Sequence, residues 1–149
     1  MTNEQTIPTF FYGSYINRQV LAEVDLDPER FEVARLSGYD LRIAPLANLV
    51  VAEARSVYGV LATATQAELD RLYTHAREVL GGTYLPESVL VQLLSGEFEP
   101  AQCYIAPNLP EAAPDEAYVQ RILGPARALG FPEWYLSRIE AFLPASDGD

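Results

Sequence analysis

Strand-like segments fill the first two-thirds of this chain and helix-like segments the last third. That order constrains the fold more than any other feature. Apolar runs at Thr9–Tyr12, Phe31–Leu36, Tyr39–Ile43, Leu49–Ala52, Val57–Thr63, Ser88–Leu94 and Ala101–Ile105 read as short strands. Phe31–Leu36 and Tyr39–Ile43 read as a strand pair across Ser37-Gly38, a hairpin-style break, and Gly96–Pro100 as the turn before the last strand. A short helix is predicted near Asn17–Glu23. A second is predicted from Gln66 to Arg77, where Thr65 and Glu68 form a capping box and Leu69, Leu72, Tyr73 and Ala76 recur with helical spacing. After a proline-rich loop at Pro107–Pro114, Asp115 caps a helix to about Leu129, Gly130 stops it, and Pro132 opens another through Phe142. Strands followed by helices predict an α+β fold, a small mixed β-barrel or sheet with flanking helices. The 149 residues are expected to form one domain, with 1–8 and 144–149 as loose ends.

Composition removes whole classes of chemistry. The ten basic residues are all arginine, which excludes Schiff-base lysine chemistry and the lysine of a phosphate-binding loop. One cysteine, Cys103, and one histidine, His75, cannot build a Cys/His zinc site or a disulfide framework within one chain. A net charge of −11 disfavours nucleic acid and anionic membrane surfaces as partners. No signal peptide or membrane-spanning run is evident, so the expected location is cytoplasmic. The sequence leaves oligomeric state open.

The corner at Phe11-Tyr12-Gly13-Ser14-Tyr15 is the main site candidate. An aromatic strand ends at Gly-Ser and a helix begins a few residues on. Glycine allows the backbone to be approached closely, and main-chain N–H groups at such an entrance attract carboxylates.

These pieces resemble the γ-glutamylcyclotransferase-like, or AIG2-like, family. Phe11-Tyr12-Gly13-Ser14 is similar to its aromatic-Tyr-Gly-Ser signature, and Val33–Leu36 with Tyr39-Asp40-Leu41 to its second and third strands. Val57–Leu61 followed by Glu68–Leu72 resembles its strand-then-helix segment. Tyr118–Ala126, Gly130-Phe131-Pro132 and Tyr135-Leu136 resemble its C-terminal segment, so the likeness runs in order over about 9–143. The resemblance implies a pocket beside the Tyr-Gly-Ser loop, with Tyr12, Gly13, Ser14 and Tyr15 holding the substrate's glutamyl carboxylate. It implies cyclisation of a small γ-glutamyl amide to 5-oxoproline with release of the amine, needing no cofactor or metal.

The same resemblance implies a catalytic glutamate after the mid-chain helix, in the pattern Leu-Asp-x-x-Glu-Gly. Counting forward from Leu72 places Ala76 there, and counting back from Tyr84 places Arg77 there. Glu78, one or two residues on, is the candidate general acid/base. In such a reaction the substrate's own α-amine attacks its γ-carbonyl, so proximity contributes roughly 7–11 kcal/mol in favourable cases. One partly buried carboxyl can take the ammonium proton and deliver one to the leaving amine. The alternative is a catalytically inactive protein of the same fold that binds a γ-glutamyl-like or other carboxylate ligand. Glu87 and His75 are secondary acid/base candidates. Cys103 reads as core, and Arg18 or Arg35 as a carboxylate partner or a surface ion pair.

Overall fold

The structure, a computed structural model, describes residues 5–107, 109 and 112–143. Residues 1–4, the tail Pro144–Asp149 and positions 108, 110 and 111 of the proline-rich segment lie outside the described residues. Five strands, β1 (Thr6–Phe11), β2 (Phe31–Ile43), β3 (Ala47–Thr65), β4 (Leu85–Leu93) and β5 (Phe98–Ile105), close into a barrel in the order β1-β3-β2-β4-β5. The α+β expectation holds. Neighbouring strands are antiparallel except β1 and β5, which run parallel with Phe10 opposite Cys103.

Two breaks between expected strands, the hairpin-style one at Ser37-Gly38 and the gap between Leu49–Ala52 and Val57–Thr63, are absent. Ser37-Gly38 lies inside β2, and Glu53–Ser56 lies inside β3. The two breaks face each other: Ser37 pairs with Ser56 and Tyr39 with Val51, so four residues of β3 oppose Gly38. Gly38 sits at φ +89° and Ala54 at φ +65°, which absorbs the extra residues as a bulge in one long hairpin. The chain reverses instead between Ile43 and Ala47. At the other hairpin the strands exceed the sequence reading because Phe98 and Pro100 pair with Gln92 and Leu90. Likewise β1 starts at Thr6, within the expected lead-in, because Thr6, Ile7 and Pro8 pair with Thr65, Ala64 and Thr63.

The C-terminal half of β3 explains the barrel's apolar centre. Val57, Val60, Leu61, Ala62 and Ala64 are fully buried on both faces of the strand. Burying a side chain such as Leu61 contributes roughly 1.5–3 kcal/mol. β1 packs so closely here that only glycine fits at position 59, where a Cβ would stand 2.2 Å from the Phe11 carbonyl oxygen.

Four helices flank the barrel: α1 (Arg18–Ala22), α2 (Gln66–His75), α3 (Glu116–Ala128) and α4 (Glu133–Glu140). The Asn17 side chain caps α1 through the Gln19 N–H. The capping box of α2 is present, with the Glu68 N–H donating to Thr65 Oγ1 at 3.1 Å and the Thr65 N–H donating to Glu68 Oε1 at 2.8 Å. Leu69 and Leu72 of α2 are buried against the barrel. α2 then widens into a π-helical turn, Ala76–Leu80, which ends at Gly81 with φ +87°. Asp115 caps α3, and Gly130 follows it at φ +82°. Arg138 of α4 donates from Nε to Asp40 Oδ1 at 3.0 Å and from its second nitrogen to Asp40 Oδ2, tying α4 to β2. No helix among the described residues is long and apolar enough to cross a membrane.

Candidate functional site

The loop after β1 tightens into a single 3-10 turn, Ser14–Ile16, closed by the Ile16 N–H on the Gly13 carbonyl and the Asn17 N–H on the Ser14 carbonyl. The N–H groups of Ser14 and Tyr15 open that turn and have no acceptor within it. Ser14 and Tyr15 line a cavity of about 30 Å³. Gly13 is required by the opposite wall, because a Cβ there would stand 2.7 Å from the Cβ of Ala47.

Tyrosines form most of the remaining wall. Ala47, at the start of β3, fixes two of them through its backbone: its carbonyl accepts from the Tyr84 hydroxyl at 2.6 Å and its N–H donates to the Tyr118 hydroxyl at 3.0 Å. The Tyr12 hydroxyl donates to the Tyr104 carbonyl at 2.6 Å, and the Tyr15 hydroxyl to the Leu72 carbonyl at 3.4 Å. Tyr73 of α2 stacks on Tyr104 and meets Tyr15 edge-on, with centroids 5.7 Å apart. Its hydroxyl makes no hydrogen bond to a described residue.

Burial pushes the phenol pKa of Tyr12, Tyr15, Tyr73, Tyr84 and Tyr118 above its usual value. Every one of these hydroxyls is therefore neutral at pH 7. Ala76 and Leu80 complete the wall, and among the described residues no carboxylate, arginine or histidine lines the cavity. The site can receive an anionic group on main-chain donors and shield it with aromatic rings.

A family model described as the AIG2-like family matches residues 56–139. The chain belongs to the AIG2-like family. Solved structures share the fold over nearly its whole length. An uncharacterized human protein is 22% identical, with 98% of this chain and 92% of that chain covered and a TM-score of 0.81. A protein named gamma-glutamyl cyclotransferase is 23% identical, covering 97% and 93%, with a TM-score of 0.80. A yeast gamma-glutamyl cyclotransferase named as specific to glutathione is 14% identical, covering 95% and 96%, with a TM-score of 0.65. No curated protein matches the chain.

Within this AIG2-like chain, Tyr12, Gly13, Ser14 and Tyr15 come together on the cavity. Glu78 does not join them: it is exposed and absent from the cavity wall. The π-helical turn explains why. Ala76 and Leu80 both face the cavity, and Glu78, midway between them, lies roughly 160–200° around the helix axis from Ala76. Glu87 is also exposed, on β4. His75 ends α2 outside the cavity wall. Cys103 is buried opposite Phe10, and burial pushes its thiol up to about 12. Arg18 pairs with Asp27, and Arg35 bonds Gln92.

Tyr73 is the residue that sequence reasoning missed. Counting from Leu72 passes over it. The preceding Leu69-Asp70 also fits the start of the family's Leu-Asp-x-x-Glu pattern, and that register puts Tyr73 at the glutamate position. Tyr73 and Ala76, the positions the two registers give, both line the cavity.

Proposed function

We propose that this AIG2-like protein binds a γ-glutamyl-like carboxylate ligand at the Gly13–Tyr15 loop and does not turn it over. The observation that carries this reading is a cavity with the Ser14–Tyr15 turn on one side and, among the described residues, no carboxylate in its wall. Cyclisation requires a group that removes a proton from the α-ammonium before the amine attacks. Tyr73 lies in position to donate a hydrogen bond, but its raised pKa keeps its own proton in place at neutral pH. Glu78 faces away on the π-helical turn.

The competing reading is 5-oxoproline-forming cyclotransfer with Glu78 as acid/base. Its support is the fold shared with proteins named gamma-glutamyl cyclotransferase. That reading needs the 76–80 turn to rewind on substrate binding so that Glu78 replaces Ala76 on the cavity side.

Titration calorimetry with a γ-glutamyl amide tests the binding reading. Saturable binding that Gly13→Val abolishes is expected, because the new side chain would occupy the space between the loop and Ala47. Absence of saturable binding to the unaltered protein overturns it.

A further inference from the structure

The outer face of the barrel carries an aromatic and apolar surface away from the Gly13–Tyr15 cavity. Register places Tyr58 of β3 opposite Arg35 of β2, and Arg35 opposite Gln92 of β4. Arg35 points outward, because side chains alternate along a strand and its neighbours Ala34 and Leu36 are buried in the core. Tyr58 shares that face and packs edge-on against Trp134 of α4, with ring centroids 5.9 Å apart. Arg35, Tyr58, Gln92 and Leu94 line a groove of about 230 Å³, and none of the four lines the cavity. Leu94 is 78% exposed and Trp134 52% exposed beside it. Exposed apolar clusters of this kind mark association surfaces, and tryptophan and arginine are enriched among the residues that dominate them.

Two charges on this face lack a counter-charge. Arg18, Arg30, Arg121, Arg127 and Arg138 each pair with a carboxylate. Arg35 instead donates to the neutral Gln92 Oε1 at 2.8 Å and pairs with no carboxylate among the described residues. Glu133, the first residue of α4 and next to Trp134 in the chain, is exposed and makes no hydrogen bond or ion pair with a described residue. A second copy of the chain supplies both missing partners at once. Across a two-fold axis, Arg35 of one protomer meets Glu133 of its partner, and the reciprocal contact forms by symmetry. A net charge of −11 makes two copies repel each other in general, so their approach favours a face that offers attractive pairs.

We propose that this face is a two-fold interface between two copies of this chain. Trp134 and Leu94 are its apolar anchors, and two symmetric Arg35–Glu133 ion pairs set its register. The inference is independent of the ligand reading, since it uses no residue of the cavity.

Sedimentation equilibrium of the full chain at micromolar concentration tests it. The unaltered protein should show twice the chain mass of 16.5 kDa. Arg35→Glu and Glu133→Arg each place like charges across the axis, and each should weaken association by about tenfold or more. The two together exchange the charges and should restore the dimer, which a fold defect in either variant would not do. Leu94→Asp, at a side chain too exposed to disturb the core, should also weaken association while keeping the urea midpoint of the unaltered protein. Val51→Asp, at a side chain 80% exposed elsewhere on β3, should leave the dimer intact. A single-chain mass for the unaltered protein overturns the interface. So does a dimer that survives Leu94→Asp, or a double charge-exchange variant that stays monomeric.

Discussion

Tyr73 lies flat on Tyr104, with ring centroids 3.9 Å apart and planes 12° from parallel. The stack joins α2 to β5, and both rings line the cavity. The Tyr73 hydroxyl adds nothing to it, since that oxygen has no hydrogen-bond partner among the described residues. Tyr73→Phe should therefore change stability by less than about 0.5 kcal/mol, within the usual range for a change that breaks no contact. Tyr12→Phe removes a donor from the buried Tyr104 carbonyl and should cost roughly 1–3 kcal/mol. Urea denaturation of the two variants checks the contrast; equal losses would mean that the Tyr73 hydroxyl has a structural partner.

Gly59 and Gly13 should respond differently to the same added methyl group. At Gly59 the new Cβ would meet backbone, the Phe11 carbonyl oxygen at 2.2 Å, where β1 and β3 cannot separate without losing their pairing. Gly59→Ala should cost roughly 3 kcal/mol or more, at the upper end for overpacking. At Gly13 the obstacle is the Ala47 side chain at 2.7 Å on the wall of the cavity. Gly13→Ala should cost less stability and lower ligand affinity. Urea midpoints and ligand titrations measured side by side distinguish a core position from a site position.

The buried phenols make stability sensitive to alkali. In the unfolded chain tyrosines ionise near pH 10. In the fold burial raises Tyr12, Tyr73, Tyr15 and Tyr84 above that value, and raises Cys103 from about 9 to about 12. Above the unfolded values the unfolded chain has released protons that the fold retains, so stability falls as pH rises. The contribution is full below about pH 9 and is lost progressively above it. In a spectrophotometric titration these tyrosines should ionise together with loss of structure. A set of phenols that all titrate near pH 10 with the fold intact would contradict the burial described here.

How much of this was legible in the sequence depends on whether the signal was local. Thr65 and Glu68 lie three residues apart and satisfy each other's backbone, so the start of α2 is readable from four letters, and Thr65→Ala should cost about 1 kcal/mol in thermal or urea unfolding. The Tyr12–Tyr15 corner is equally local. The bulge is not: Gly38 looks like a turn until Ala54 is known to lie across from it, and that pairing belongs to strand register. Glu78 illustrates the same limit. Its distance from Ala76 along the chain is two residues, but the π-helical turn decides which side of the helix it occupies. Tyr73 was hidden because its role is set by Tyr15, Tyr84 and Tyr104, which reach it from other parts of the chain.

The most direct measurement is 5-oxoproline release from γ-glutamylglycine at a ligand concentration that calorimetry shows to be saturating. The account predicts a bound ligand and release no faster than in buffer alone, with Glu78→Gln indistinguishable from the unaltered protein. Catalysed release that Glu78→Gln abolishes would contradict it and establish Glu78 as the proton carrier.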